Sequence, residues 1–239
     1  MAESLLAKVG VFANLSEEAL QRLQRGTATL EPPSGTRLFA QGDRADAVYA
    51  IVGGEGRVET GAANDRHDKR LMIEVFWSGD IFGEIGVIDP GPRSANAITD
   101  GRVRLLRIPA TTFVSALNDF PQLGANISRL LAHRLRRTFG LFQDRTFESL
   151  NVVLARQILY LAEQHGRKTD HGVVLSSRLR QNDLANLLGA TTRSIITILN
   201  RWRKDRVVSY DSDRAQLTIL DKDKLQAVVD GGRDVKHFT

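Results

Sequence analysis

Residues 80–97 read DIFGEIGVIDPGPRSANA, and this stretch is the most informative part of the chain. Gly83 and Gly86 allow a tight turn and a close backbone approach, so several N–H groups can converge on one anion. The Asp-Pro-Gly-Pro sequence at 89–92 predicts a turn that folds the chain back onto this cradle. The stretch therefore predicts a site for an anion such as a phosphate group.

Polar side chains on both sides of that turn complete the predicted site. Arg93 supplies a planar cationic fork suited to phosphate oxygens, and Ser94 adds a hydroxyl and another N–H. Glu84 only accepts hydrogen bonds when it is ionised, so it suits a sugar hydroxyl rather than the phosphate. A surface Glu–Arg pair beside a glycine turn is the alternative. Because these residues occur together with Ala95 and a series of preceding strands, the binding pocket is favoured.

The chain around this stretch is predicted to form a closed antiparallel β-roll, a jelly roll, over residues 1–120. A helix over about 16–25 opens it. Apolar, β-branched or aromatic runs then follow at 36–39, 47–52, 57–60, 70–76, 95–99 and 103–109. Crossover helices of ten or more residues do not fit between these runs, which argues against βαβ units. With the helices that follow, the predicted fold class is α+β.

A long helix is predicted over 121–148, after a short one at 111–117. Pro121 is tolerated in the first helical turn. Along the long helix a stripe recurs every three or four residues, at Ile127, Leu131, Arg134/Leu135, Thr138 and Phe142. This spacing is typical of a helix that pairs with a second copy, so we expect a dimerisation helix. Packing on its own β-roll is the alternative, because arginines between 134 and 137 interrupt the stripe.

The C-terminal part is predicted to be a winged helix-turn-helix over 149–222, followed by a C-terminal tail over 223–239 whose last stretch, 230–239, is expected to be loose. Its predicted order is a helix at 152–162, a strand at 173–175, helices at 181–188 and 191–205, and a hairpin of 207–210 with 216–220. Gly189 permits the turn between the two helices, and Thr191 caps the second one. The apolar positions Leu184, Leu187, Leu188, Ile195, Ile198 and Leu199 are expected to face inward.

The outer surface of this unit is predicted to contact double-stranded DNA. The candidate residues donate hydrogen bonds and include no acid, as a negatively charged groove requires. They are Arg180, Gln181, Thr191, Thr192, Arg193, Ser194, Thr197 and Arg201. The charge distribution also favours DNA as the partner of the C-terminal part. Residues 1–120 carry a net charge of −3, and residues 121–239 carry +8.

The two elements together resemble the cyclic-AMP receptor protein/FNR (Crp/Fnr) superfamily of bacterial transcription regulators, over roughly residues 10–220. The resemblance rests on Phe-Gly-Glu at 82–84, Arg-Ser-Ala at 93–95 and the helix-turn-helix. It implies that Glu84 takes a ribose hydroxyl and that Arg93 and Ser94 take a cyclic phosphate. The expected cyclic-nucleotide-binding residues are Gly83, Glu84, Ile85, Gly86, Arg93, Ser94, Ala95 and Thr138. A homodimer, a DNA operator and RNA polymerase are the implied partners.

Two departures from the family pattern bear on specificity. Thr138 aligns with a family Thr that contacts adenine, but the next position is Phe139 where the family pattern has a Ser that reaches the partner's nucleotide. Because the Thr138 hydroxyl can both donate to and accept from adenine, we favour cyclic AMP; Phe139 adds no polar contact to the purine, so cyclic GMP is the alternative. Residues 192–194 and Thr197 replace the family's Arg-Glu-Thr and a further Arg, so the family's operator is not transferred to this chain.

Composition disfavours other classes. The chain has no Cys, which excludes iron–sulfur sensing and Cys-ligated zinc. His67 in a polar segment and His133 on the long helix are expected to be surface or packing residues rather than haem ligands, and we expect no metal. No Ser-His-Asp set, Walker A loop or HExxH occurs, so we expect no enzyme. Lacking an apolar stretch of about 18 residues and a signal peptide, the chain is expected in the cytoplasm, away from membranes.

Two other interpretations stay open at this point. One is a DNA-binding regulator of the same family whose β-roll is independent of ligand, serves partner contacts or binds another effector. The other is a cyclic-nucleotide-binding module without a DNA function, against which the basic C-terminal half argues.

Overall fold

The structure is a computed structural model that describes residues 5–64, 69–175 and 178–234. The chain divides into two compact units, Met1–Leu135 and Arg136–Thr239. None of the described helices combines the length and the apolar character that a membrane crossing needs. His67 lies outside the described residues.

The first unit is built mainly from short strands. Two 3-10 helices (Leu5–Lys8 and Gly10–Phe12) precede α1 (Glu17–Gln24), β1 (Ala28–Leu30), β2 (Arg37–Phe39), β3 (Ala47–Gly54), β4 (Arg57–Asn64), β5 (Lys69–Phe76), β6 (Ile81–Phe82), α2 (Ile85–Ile88), β7 (Asn96–Asp100), β8 (Val103–Pro109), α3 (Ala110–Asp119) and α4 (Pro121–Phe147). The strands form two antiparallel sheets, in the orders β1-β8-β3-β6 and β2-β7-β4-β5. The predicted β-roll is confirmed.

An apolar core lies between the two sheets and supports the predicted anion site. Tyr49 and Phe82 stack with ring centroids 5.3 Å apart, and Phe76 lies 5.6 Å from Phe82. Ile51 and Leu105 are fully buried beside them. Because this layer is densely packed, it holds β6 and the start of α2 in a fixed position.

The first part of α4 packs on the roll of its own chain. Leu123 and Ile127 are 0% and 3% exposed, in a cluster with Phe113 and strands β3 and β8. The prediction that Ile127 belongs to a face shared with a second copy is therefore wrong. Periodicity identifies an apolar stripe but not the surface that receives it, and here the roll covers the first turns of the helix. The long helix itself is confirmed.

The second unit contains the end of α4 and a winged helix-turn-helix. Its further elements are α5 (Leu150–His165), β9 (Gly166–Thr169), β10 (Gly172–Leu175), α6 (Gln181–Leu188), α7 (Thr192–Lys204), β11 (Val208–Asp211), β12 (Gln216–Ile219) and α8 (Lys222–Asp234). The four strands form one antiparallel sheet in the order β11-β12-β10-β9. Leu184, Leu187 and Leu188 are buried, as predicted for the inner face of α6.

The predicted C-terminal tail, 223–239, begins with a helix, and the expectation of a loose stretch over 230–239 is wrong for residues 230–234. Residues Lys222–Asp234 form α8, and Asp221 caps it by accepting a hydrogen bond from the Lys224 N–H at 2.9 Å. Leu225 and Val229, four residues apart, are 0% and 2% exposed. The Gly-Gly pair at 231–232 suggested a breaker, yet the buried apolar face outweighs its weak helix propensity. Residues 235–239 lie outside the described residues.

Candidate anion pocket and nucleic-acid interface

Two glycines bring the backbone close to the predicted anion site, at the junction of β6 and α2. Gly83 has a φ of +76°, and a Cβ there would lie 2.7 Å from Nη1 of Arg93. A Cβ on Gly86 would lie 2.8 Å from the carbonyl oxygen of Gly91 and 2.9 Å from Cβ of Ala45. Any side chain at either position would therefore displace the Arg93 segment.

Arg93 is the central side chain of this site, and it is only 2% exposed. Nη1 donates to the carbonyl oxygen of Gly83 at 2.7 Å, and Nη2 donates to Oδ1 of Asp46 at 3.1 Å. The guanidinium lies 4.1 Å from the centroid of the Phe39 ring. Its Nε is buried and has no hydrogen-bond partner in the described residues. A buried donor without an acceptor is costly, so this guanidinium has capacity left for an anion.

Backbone hydrogen bonds hold Arg93 against the loop before β3. The Arg93 N–H donates to the carbonyl oxygen of Asp43 at 2.8 Å, and the Gly42 N–H donates to the carbonyl oxygen of Arg93 at 2.9 Å. Residues Arg44 and Pro92 form an isolated β-bridge at the same place. The turn at 89–92 thus returns the chain to the cradle, and this loop fixes where it returns.

Asp46 is the ionic partner of Arg93. Its other carboxylate oxygen accepts a hydrogen bond from Arg107 Nη2 at 2.5 Å, so the carboxylate bridges two cations. Partial burial acts to raise the pKa of Asp46, but the hydrogen bond and charge of Arg107, with the charge of Arg93, hold it below its ordinary value. Asp46 is therefore ionised at neutral pH and half exposed, where a ligand phosphate would compete with it for Arg93.

Glu84 is 1% exposed and forms an ion pair with α4. Its Oε1 accepts a hydrogen bond from Nη1 of Arg134 at 2.6 Å, and Nη2 of Arg134 donates to the carbonyl oxygen of Ile81 at 2.7 Å. The Arg134 guanidinium lies 4.9 Å from the centroid of the Phe76 ring. No hydrogen bond to Oε2 of Glu84 occurs within the described ranges. One carboxylate oxygen is therefore left for a further donor, such as a sugar hydroxyl.

The remaining residues of the stretch 82–95, which we call the cassette, lie around this pair. Within the part of the chain that the structure describes, the backbone N–H groups of Glu84, Ile85, Gly86 and Ser94 make no hydrogen bond. Ser94 is exposed and Ala95 is 8% exposed. Free N–H groups, an unsatisfied guanidinium nitrogen and an available carboxylate oxygen match the donor and acceptor set of a ribose cyclic phosphate. These residues fit such a ligand.

Thr138 and Phe139 lie on α4 in the second unit. Both side chains are exposed, Phe139 to 59%. The expected role of Thr138 toward the purine therefore stays a prediction.

The turn between α6 and α7 has the predicted local geometry. Gly189 ends α6 in the left-handed conformation, with a φ of +62°. Oγ1 of Thr191 caps α7 by accepting a hydrogen bond from the Ser194 N–H at 3.1 Å. Ile195 and Leu199 are buried on the inner side of α7, while Ile198 is partly buried.

The outer face of α7 is basic. Arg193 and Arg201 are exposed, and α7 holds four Arg and Lys residues and no acid. At the start of α6, Arg180 is exposed and Gln181 is partly buried; the Arg180 N–H donates to Oδ2 of Asp183 at 2.7 Å. Thr192 is partly buried, and Thr197 is exposed. This face suits a polyanion.

The sequence did not identify Asp46 and Arg134 as parts of the pocket. Asp46 is 47 residues from Arg93, and nothing in its local sequence indicates the contact. Arg134 is 50 residues from Glu84, although its interruption of the apolar stripe on α4 was a visible sign.

Comparison with protein families gives two matches on this chain. Residues 30–120 match the cyclic nucleotide-binding domain, and residues 154–228 match the Crp-like helix-turn-helix domain. The first match contains the whole cassette. The second contains α6, α7 and the hairpin of β11 and β12, which is the wing.

Curated and solved relatives cover most of the chain. It is 28% identical over 193 residues to the CRP-like cAMP-activated global transcriptional regulator of Mycobacterium tuberculosis, covering 81% of this chain and 85% of the relative. It is 27% identical over 176 residues to the cyclic AMP receptor protein of Thermus thermophilus, covering 74% and 77%. The structure of a CooA mutant from Carboxydothermus hydrogenoformans is similar with a TM-score of 0.74 at 20% identity, covering 96% and 97%. That last likeness shows the fold.

Proposed function

Because the chain belongs to the Crp/Fnr superfamily of transcription regulators, we propose that it is a homodimeric, sequence-specific DNA-binding regulator controlled by a cyclic nucleotide. The observation that carries this proposal is the buried Arg93 guanidinium, which donates to the Gly83 carbonyl oxygen at the turn of unbonded N–H groups and whose Nε has no hydrogen-bond partner among the described residues. RNA polymerase is the further partner that we propose for such a regulator, and the cytoplasm is the proposed location.

The cyclic phosphate is proposed to bind to Arg93, Ser94 and the N–H groups of residues 84–86. The ribose hydroxyl would donate to Glu84, whose Oε2 is available beside the Arg134 pair. Cyclic AMP is favoured over cyclic GMP, and the names of two relatives, one cAMP-activated and one a cyclic AMP receptor, support this order. Arg93 would exchange Asp46 for the phosphate, which couples ligand binding to the loop before β3.

The dimer is proposed to form along the exposed part of α4. Leu135, Phe139 and Phe142 are 54%, 59% and 72% exposed and follow i, i+4, i+7 spacing on one helix. Large apolar side chains in such a row favour a second helix as their cover. A dimer joined there would have two α7 helices, one for each half-site of a twofold operator. The half-sites of such an operator lie about 34 Å apart. A change in the α4 pair is then the proposed route from ligand to DNA.

Calorimetry and operator selection test the proposal together. Purified protein is titrated with cyclic AMP and cyclic GMP, and it is separately used to select duplexes from random DNA with and without each nucleotide. We expect binding of at least one nucleotide and enrichment of a palindromic duplex that depends on it. Enrichment without nucleotide binding would support the interpretation of a ligand-independent β-roll, and nucleotide binding without enrichment would support the module without a DNA function.

Replacing Arg193 with alanine is expected to weaken binding of the selected duplex by about 5- to 150-fold for each half-site, since a bidentate contact to a base contributes about 1–3 kcal/mol, and by the product of the two losses for the dimer. Nucleotide affinity should not change, because Arg193 lies on α7, outside the β-roll. Fluorescence anisotropy and calorimetry measure the two affinities. Arg167→Ala, which removes one exposed cation from β9 of the same unit, is the matched control. Parallel loss of DNA and nucleotide binding in Arg193→Ala would contradict the assignment of the two units.

Replacing Thr138 with alanine is expected to reduce the preference for cyclic AMP. The Thr138 hydroxyl can both donate and accept, so it can meet the exocyclic amine and a ring nitrogen of adenine. Losing one neutral hydrogen bond corresponds to about 0.5–1.5 kcal/mol, or roughly 2- to 12-fold in affinity. Titrations of both nucleotides against wild type and variant measure the ratio. Tighter cyclic GMP binding by the wild type would reverse the choice of ligand, and an unchanged ratio would remove Thr138 from the site.

A further inference from the structure

Ile196 is an apolar residue on the outer side of α7. It is 36% exposed, whereas its neighbour Ile195 is fully buried in the unit. It follows Arg193 by three residues and precedes Asn200 by four, so it shares their side of the helix. Both of these neighbours are exposed and polar. A β-branched hydrocarbon therefore lies within the basic face that is proposed to meet DNA.

The hydroxyl groups around Ile196 already donate or share hydrogen bonds inside the protein. Oγ1 of Thr192 donates to Oδ1 of Asn182 at 3.0 Å, and Oγ1 of Thr197 donates to the carbonyl oxygen of Arg193 at 2.9 Å. The hydroxyls of Thr191 and Ser194 lie 2.8 Å apart and share one hydrogen bond. The methyl group of Thr197 and the lone pairs of its hydroxyl oxygen can still contact a partner. To donate to bases, Thr192 and Thr197 would have to exchange these internal hydrogen bonds.

An apolar patch on a basic helix selects one group in the major groove. The 5-methyl of thymine is the apolar group that a base edge presents there, and aliphatic side chains recognise it by contact. The charge of α7 favours DNA over another protein as the partner of this face, because the helix holds four basic residues and no acid. Residues three apart on an α-helix are separated by about 4.5 Å along the helix axis. This distance is comparable with the spacing of about 3.4 Å between successive base pairs.

We propose that Ile196 is a specificity-determining residue that reads a thymine methyl in each half-site of the operator, next to the base pair that Arg193 contacts. This inference rests on the proposed DNA-binding function and adds the chemical identity of one operator position. It predicts a thymine that is recognised through its methyl group rather than through hydrogen bonds.

The test uses deoxyuridine, which differs from thymidine only by the missing 5-methyl. The wild-type full chain selects a duplex from random DNA, and each thymine of that duplex is then replaced singly and in symmetric pairs. At one position per half-site we expect about a 4-fold loss of affinity, from the hydrophobic contribution of one buried carbon group, and about 15-fold when both half-sites are changed. Fluorescence anisotropy with labelled duplexes gives each dissociation constant.

Variants then connect that position to Ile196. Ile196→Ala should bind the thymine duplex more weakly and should lose its sensitivity to deoxyuridine at the same position. Leu220→Ala, which removes another exposed apolar side chain of the same unit, is the control and should keep the wild-type sensitivity. Circular dichroism and thermal unfolding establish that both variants are folded.

Three outcomes would count against the inference. If the wild type selects a duplex but no thymine shows a methyl effect, or if Ile196→Ala retains that effect, Ile196 is not the reader. If Ile196→Ala binds the duplex like the wild type, the residue faces another partner such as a protein. If the wild type enriches no duplex with or without either nucleotide, the DNA-binding proposal itself fails, and this inference with it.

Discussion

Replacing Arg93 with alanine is expected to lower cyclic nucleotide affinity by about 100-fold or more. Each charge-assisted hydrogen bond contributes about 1.5–3 kcal/mol, and the planar fork can make two of them to one phosphate. The nitrogens available for this contact are the buried Nε, which has no hydrogen-bond partner in the described part of the chain, and the Nη2 shared with Asp46. Calorimetry with cyclic AMP and cyclic GMP measures the loss.

Two companion variants separate ligand binding from packing, because the Arg93 side chain also covers Phe39 and its removal leaves a cavity. Arg93→Lys retains the charge without the fork and should lose affinity to a lesser extent. Asp46→Asn removes the carboxylate that competes for Nη2 and should bind nucleotide at least as tightly as wild type. A folded Arg93→Ala protein with wild-type affinity would show that the cassette is not the nucleotide site.

Local sequence patterns identify the parts of this molecule whose geometry is local. The glycines at 83 and 86 and the turn at 89–92 predict a close backbone approach, and the structure has it. Turn chemistry and the inward leucines likewise predict α6, Gly189 and α7, since a left-handed residue and a capping hydroxyl are required at fixed offsets. Such features need no knowledge of distant residues.

Features that depend on contacts between distant parts of the chain are not predicted from the sequence. The strands β1, β6 and β9 have three, two and four residues, too few to show an alternation. The stripe on α4 divides between the roll, which buries Ile127, and the exposed Phe139 and Phe142. Local periodicity is the same for both halves, so only the packed structure distinguishes them.

The chemical partners of the pocket depend on such distant neighbours even more strongly. Asp46 and Arg134 reach the cassette from loops and helices that are about 50 residues away along the chain. The sequence therefore predicts the ligand-facing residues of the cassette but not Asp46 and Arg134, the charged side chains that pair with them. The Glu84–Arg134 pair in particular joins the cassette to a residue of α4.

Replacing Arg134 with methionine is expected to destabilise the β-roll by about 3–5 kcal/mol. The substitution keeps much of the side-chain volume but leaves the Glu84 carboxylate, which is 1% exposed, without its cation. An unpaired buried charge costs about that much, whereas replacing both members of a buried pair by neutral groups is often nearly neutral. The carbonyl oxygen of Ile81 also loses the hydrogen bond from Arg134.

A second substitution distinguishes the charge effect from lost packing. Arg134→Met combined with Glu84→Gln leaves no buried charge, so it should recover most of the free energy of unfolding that Arg134→Met alone loses. The chain has two tryptophans, and in a Trp202→Phe background the fluorescence of Trp77 reports urea unfolding of the β-roll alone. If the double variant is as unstable as Arg134→Met, packing over Phe76 rather than the charge of Glu84 holds α4 on the roll. If Arg134→Met unfolds at the wild-type urea concentration, the ion pair does not stabilise the roll at all.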